Sequence, residues 1–193
     1  MTRHLLIAGA CALALSLGAC NKKAETPTAN NPTPDAHPAS TILTPSNETN
    51  AQDYVTKTAN SDRLEVESAK VALKRSANAD VKAFAKAVET AHTKAADDLK
   101  SALTKAKLTL TPPTALPDDM AKQIDDLNKA DAKDFDKKYM DHEVDIHQDA
   151  LDLQTRYAKD GDNADLKAYA AKMATAIQDH LTKAKSIRDA LKS

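Results

Sequence analysis

An all-α fold, a four-helix bundle, is what this sequence predicts, and three observations predict it. From residue 50 onward prolines disappear except at Pro112, Pro113 and Pro117, and the only glycine there is Gly161. Ala, Lys and Leu, all strong helix formers, dominate that stretch together with Asp. No window alternates with period two or clusters β-branched residues as a strand would, whereas apolar residues recur at three- and four-residue spacing.

The first twenty residues belong to a different kind of segment. Thr2-Arg3-His4 form a short basic start, and Leu5 to Leu17 an apolar run broken only by small residues. A spanning helix needs roughly 20 apolar residues, so the run reads as the core of a signal peptide. It closes on Leu17-Gly18-Ala19-Cys20, which resembles the lipobox cut by the lipoprotein signal peptidase. The expectation is a signal peptide over 1–19 and a diacylglycerol on the Cys20 thiol. Such an anchor ties a protein to a membrane without crossing it. Asn21 is not the aspartate that retains lipoproteins at an inner membrane, which directs the chain to the periplasmic face of an outer membrane. Cys11 is removed with the leader, so no disulfide is expected within the domain.

Residues 20–49 read as a tether. Pro27, Pro32, Pro34, Pro38 and Pro45 stand among Thr, Asn, Ala and Ser, with few large apolar groups. Such a composition cannot offset the entropy of ordering, and proline keeps it extended.

The domain itself is expected over 50–193, with four long helices. The first runs from about Gln52 to Ser76, and Asn60 marks a place where it could break. The second covers about Ala79 to Lys107, the third about Ala132 to Lys159, the fourth about Asn163 to Lys192. Ser76-Ala77-Asn78 and Asp160-Gly161-Asp162 are breaks short enough to make antiparallel hairpins. Between the hairpins lies a longer connection with three prolines and a short helix starting near Asp118-Asp119. Two hairpins joined in this way make a four-helix bundle.

Function is narrowed first by exclusion. The net charge is −1 and no basic stripe is present, so nucleic acid is not an expected partner. The many Lys and Asp residues read as a solvated face. No serine or cysteine nucleophile constellation is visible, and an enzymatic role is not favoured.

The histidines carry the positive signal. On the second helix His92 falls in the stripe Val81, Phe84, Ala85, Val88, Ala95, Leu99. On the fourth, His180 lies within Leu166, Tyr169, Met173, Ile177, Ala184, Ile187. The third places Glu143 and His147 one turn apart beside Tyr139 and Ile146, and the first places Glu65 beside Ala69 and Ala72. Histidines in three apolar stripes, with two carboxylates, are more polarity than a bundle core carries. At 1.5 Å rise per residue Glu65 and His92 differ in depth by roughly 4–5 Å, and Glu143 stands level with His180. All five can meet in mid-bundle whichever way the second and third helices run, so their relative direction stays open.

Several of these residues also carry a resemblance. Leu64-Glu65-Val66, Ala91-His92-Thr93-Lys94, Phe135-Asp136-Lys137-Lys138-Tyr139-Met140, His147-Gln148 and His180-Leu181 occur in order. Together they resemble the bacterial family called domain of unknown function 4142 (DUF4142), from about Asp53 to Ala190. The resemblance implies an exported or outer-membrane protein and a ferritin-like bundle, with no activity attached. The chain departs from the pattern at Ala91, where the family has Asp, and at Ala174-Thr175, where it has Leu-Pro. The second departure predicts a straighter fourth helix.

Three functional classes follow. In the first, His92, His147 and His180 bind a transition metal, zinc, copper or iron, with Glu65 or Glu143 completing the shell. In the second, a non-catalytic envelope lipoprotein binds a protein partner and its buried histidines are structural. The third is a di-iron oxidase, which needs Glu on two helices and Glu-x-x-His on the other two. Glu89-Thr90-Ala91-His92 fits that motif once, Ile177 stands three residues before His180, and Glu143 and His147 are four apart, so this class is the weakest. Metal identity, partner and oligomeric state are open at this stage.

Overall fold

Asparagine side chains open three of the four long helices. In a computed structural model, which describes residues 48–192, Asn50, Asn78 and Asn163 each accept hydrogen bonds from backbone N–H groups two or three residues on. Such a cap is worth about 1 kcal/mol against alanine. The helices are α1 (Ala51–Arg75), α2 (Ala79–Lys105), α3 (Asp118–Lys129), α4 (Phe135–Asp160) and α5 (Ala164–Ala190). Acidic residues sit in each first turn and basic residues in each last turn, in line with the helix dipole. Among the described residues there is no strand, and no helix is long and apolar enough to cross a membrane. The expected leader, Cys20 and nearly all of the tether lie outside the described residues.

The elements agree with expectation in number and order, and differ in detail. α1 is continuous through Asn60, which is buried rather than a break. α2 stops short of Lys107, whose φ of 55° turns the chain out of the helix. α4 starts at Phe135 instead of near Ala132, after a turn in which Asp134 N–H bonds to the Asp131 carbonyl. α5 is uninterrupted through Ala174-Thr175, as the missing proline predicts. The domain also starts earlier than residue 50. Glu48 is buried and pairs with Lys57 and Arg156, and the Thr49 carbonyl accepts the Asp162 N–H.

Contacts between helices decide their directions. Tyr54 near the start of α1 stacks on Tyr157 near the end of α4, with ring centroids 3.7 Å apart. Further along α1, Ser68 bonds to Glu143, nearer the start of α4, so these helices are antiparallel. Asp98 on α2 pairs with Lys172 on α5 and Lys105 with Asp165, so these two are antiparallel as well. Each hairpin reverses direction, and therefore α2 and α4 run parallel, at opposite corners of the bundle. The 106–134 connection must travel its whole length, and α3 packs across α1 and α4 on the way. Arg75 holds the far end by donating to the Leu127 and Ala130 carbonyls, with its guanidinium 4.7 Å from the Phe135 ring centroid.

Gly161 serves close approach rather than unusual backbone. A Cβ there would stand 2.6 Å from the Tyr157 ring, the same ring that stacks on Tyr54.

Two apolar clusters fill the bundle. One gathers Ala69, Val81, Phe84, Val88, Tyr139 and Leu181 with their neighbours, and the other Tyr54, Leu99, Leu153, Tyr157, Leu166 and Ile177. Burying each large side chain in these clusters contributes about 1.5–3 kcal/mol. Where the stripe of each long helix passes from one cluster to the other, buried or half-buried polar residues face inward, beside a smaller apolar cluster of Leu64, Met120 and Ile146. That layer is the candidate site.

Candidate metal centre

Each long helix supplies the polar layer from the turn where its stripe passes from one cluster to the other. His92 lies between Val88 and Ala95, His180 between Ile177 and Leu181, and Glu143 and His147 between Met140 and Ala150. On α1 the layer comprises Asp62, Glu65 and Ser68. Glu65, Glu143 and His147 are fully buried, His92 is 2% exposed, and His180 is half-buried. The structure therefore brings all five sequence-predicted residues together.

The three imidazoles form a near-equilateral triangle. Ring centroids are 5.6 Å apart for His92 and His147, 5.7 Å for His92 and His180, and 5.4 Å for His147 and His180. One nitrogen from each ring lies within 4.8 Å of the other two. The Phe84 ring covers the triangle from the neighbouring cluster, 6.0 Å from His147 and 6.4 Å from His180.

Hydrogen bonds at the outer nitrogens settle the chemistry of the inner ones. His92 Nδ1–H donates to Asp62 Oδ1 at 2.8 Å. His147 Nδ1–H donates to the Glu143 backbone carbonyl at 2.8 Å and lies 3.1 Å from Glu65 Oε1. A ring whose Nδ1 carries the proton presents Nε2 as a bare lone pair. His92 Nε2, His147 Nε2 and His180 Nδ1 are buried with no hydrogen-bond partner among the described residues. Leaving a buried polar atom unsatisfied costs about 1–3 kcal/mol. Three such atoms on rings whose centroids lie 5.4–5.7 Å apart offer a donor set to a cation, and Nδ1–H bonded to an oxygen acceptor is how metal-ligating histidines are oriented.

The electrostatics also favour the neutral form at His147 and His180. His147 is held well below the ordinary imidazole range, by burial first and by the proximity of His92 second. His180 is lowered by burial and by His92. Deprotonated imidazole is the form a metal binds.

The carboxylates take a different place from the one expected. Glu65 and Glu143 stand with His147 in a second group of convergent donors, but they face its Nδ1 edge, at 3.1 and 3.5 Å. Glu143 also accepts from Ser68 Oγ at 2.8 Å. Burial pushes both carboxyls up, and the charge of Glu143 pushes Glu65 well above its usual range. Glu65 and the hydrogen-bonded Glu143 support the His147 ring from its Nδ1 side.

Sequence reading missed Asp62, Ser68 and His142. Asp62 was counted among solvated acids, yet it is 5% exposed and raised by burial against the pull of His92. It lies three residues before Glu65, on the same helix face, and that spacing was the available signal. His142 is lowered to about 4 by burial. Glu89, the acid of the one Glu-x-x-His match, pairs with Lys86 at 2.8 Å on the outer face of α2 and takes no part in the site.

Two openings reach the layer. A groove of about 500 Å³ between α1, α2 and the strap Thr111–Thr114 ends on Asp62 and His92. A cleft of about 180 Å³ between α2 and α5 ends on His92 and His180.

Comparisons with known proteins agree with this architecture. Residues 35–187 match the family model described as Domain of unknown function (DUF4142). A solved structure, the crystal structure of a DUF305 fragment from Deinococcus radiodurans, is similar over 76% of this chain and 97% of its own. Its TM-score is 0.62 at 12% sequence identity, a likeness of fold alone. Among curated proteins no sequence match is found.

Proposed function

We propose that this chain, which belongs to the DUF4142 family, is a lipid-anchored envelope protein whose ferritin-like bundle holds one transition-metal ion on His92, His147 and His180. The observation that carries the metal reading is the convergence of three buried, unpartnered imidazole nitrogens, two on rings oriented through Nδ1 by an oxygen acceptor. An all-imidazole set of borderline donors suits zinc or copper. Asp62 orients His92, and Glu65 and Glu143 orient His147. Lipid anchoring and placement at the periplasmic face of an outer membrane are supported by Leu17-Gly18-Ala19-Cys20 and Asn21.

The test is metal analysis of the full chain, extracted from membranes in detergent without a histidine tag and supplied with zinc, copper or iron in turn. The expected result is one equivalent of zinc or copper, lost in His92→Ala, His147→Ala and His180→Ala. A folded protein that takes up none of the three would return the histidines to a purely structural role and turn attention to a protein partner in the envelope.

A further inference from the structure

The proposed triad is enclosed on one side and adjoins a cleft on another. Behind His147 lie Glu65, Glu143 and Ser68, all fully buried, and Phe84 covers the rings from the neighbouring cluster. Between α2 and α5, in contrast, the cleft of about 180 Å³ runs in to both His92 and His180. Its walls include Ala91, Ala95 and Ala176, whose side chains are too short to reach a neighbouring ion. At the rim, Asp98 accepts from Lys94 at 2.6 Å and from Lys172 at 2.8 Å, so two ammonium groups meet one carboxylate there, and the Asp179 carboxylate also acts on His180.

Three protein ligands and an accessible side are the arrangement of a reactive metal rather than a closed structural one. Resting on the metal reading above, we propose that an ion held by His92, His147 and His180 keeps a coordination position open toward the α2/α5 cleft, and that this position takes a small anionic donor. The cleft limits the donor to a few atoms, and Lys94 and Lys172 at its rim offer ammonium groups to an anion that enters. Only the bond from donor to metal forms; no electrons move and no covalent bond breaks.

Azide is the probe. The full chain is loaded with cobalt(II), whose visible absorption reports coordination, and titrated with sodium azide. A saturable change in the cobalt bands is expected. Ala176→Phe, at an exposed position on the cleft edge, and Lys172→Glu, which reverses the charge of that rim side chain, should each weaken azide binding at least tenfold. Cobalt stoichiometry and melting temperature should stay as in the parent. Cobalt binding with bands indifferent to azide would mean that protein groups fill every position, and the inference would be wrong. Azide binding unaffected by both variants would place the open position elsewhere and overturn the assignment to this cleft. Failure to bind cobalt at all would remove the metal reading itself, and the inference with it.

Discussion

Asp62 accepts the Nδ1–H of His92 at 2.8 Å, joining two buried side chains on adjacent antiparallel helices. The pairing occupies Nδ1 of His92, whose ring centroid stands 5.6 Å from His147 and 5.7 Å from His180, and leaves Nε2 without a partner. It also supplies, from α1, a carboxylate behind the α2 histidine that the family pattern places at the position of Ala91.

Asp62→Asn keeps the shape of that side chain and removes its charge. Loss of such a supporting carboxylate lowers metal affinity about 10–100-fold. The expected outcome is a drop of that size in zinc or copper affinity, read by competition with a chelator, with helical content unchanged. Equal affinity would mean that Asp62 does not act through His92.

Glu65 gives a sign-defined dependence on pH. Burial, and then the charge of Glu143, hold its carboxyl well above the ordinary value of 4.5. The folded chain therefore keeps this proton to higher pH than the unfolded chain, which releases it above about 4.5. The associated stability is present below that value and is lost as pH rises toward the folded pKa. Glu65→Gln mimics the protonated form, so without metal it should melt above the parent by a margin that grows as pH rises above about 4.5. The gap should close toward pH 4.5. Calorimetry in the presence of a chelator across this range checks it.

His142 acts in the opposite direction. Its folded pKa of about 4 lies below the ordinary imidazole value of 6.5, so between the two the unfolded chain binds a proton that the folded chain refuses. Its contribution to stability falls as pH drops from about 6.5 to about 4, by roughly 2–4 kcal/mol in total. His142→Leu should flatten the acid limb of the stability curve by that amount, measured by urea unfolding at several pH values. An unchanged slope would show that His142 is already solvated.

Cys20 carries the anchoring proposal. Cys20→Ser removes the thiol that would accept the lipid, so the variant should keep its leader and carry no diacylglycerol. Mass spectrometry of the amino-terminal peptide of the parent should find a diacylglycerol on Cys20. An unmodified thiol there would end the proposal.

The site was legible from sequence to a definite depth. Helical periodicity records which face of each helix is buried, so His92, His147, His180, Glu65 and Glu143 could all be placed in the core layer. Rise per residue then set them at a common height. Asp62 escaped because an aspartate in a Lys- and Asp-rich helix reads as solvated, and only the approach of His92 from α2 makes its burial favourable. Glu89 misled in the reverse sense, since the spacing of a motif says nothing about the side it faces: position 89 turns outward and binds Lys86.

What the sequence by itself determined is the architecture: Asn caps, short breakers and a proline-bearing connection divide residues 50–193 into two hairpins whose apolar stripes must be buried together. What only the tertiary structure decided is direction, at two scales. The 106–134 connection is long enough to join α2 to a parallel or an antiparallel α4, and the pairing of Tyr54 with Tyr157 at one end and Arg75 with Phe135 at the other selects parallel. Likewise a histidine in a stripe offers two nitrogens, and the oxygen that meets Nδ1 decides which one remains to bind. Both choices depend on contacts between residues far apart in the chain, and periodicity within one helix carries no information about them.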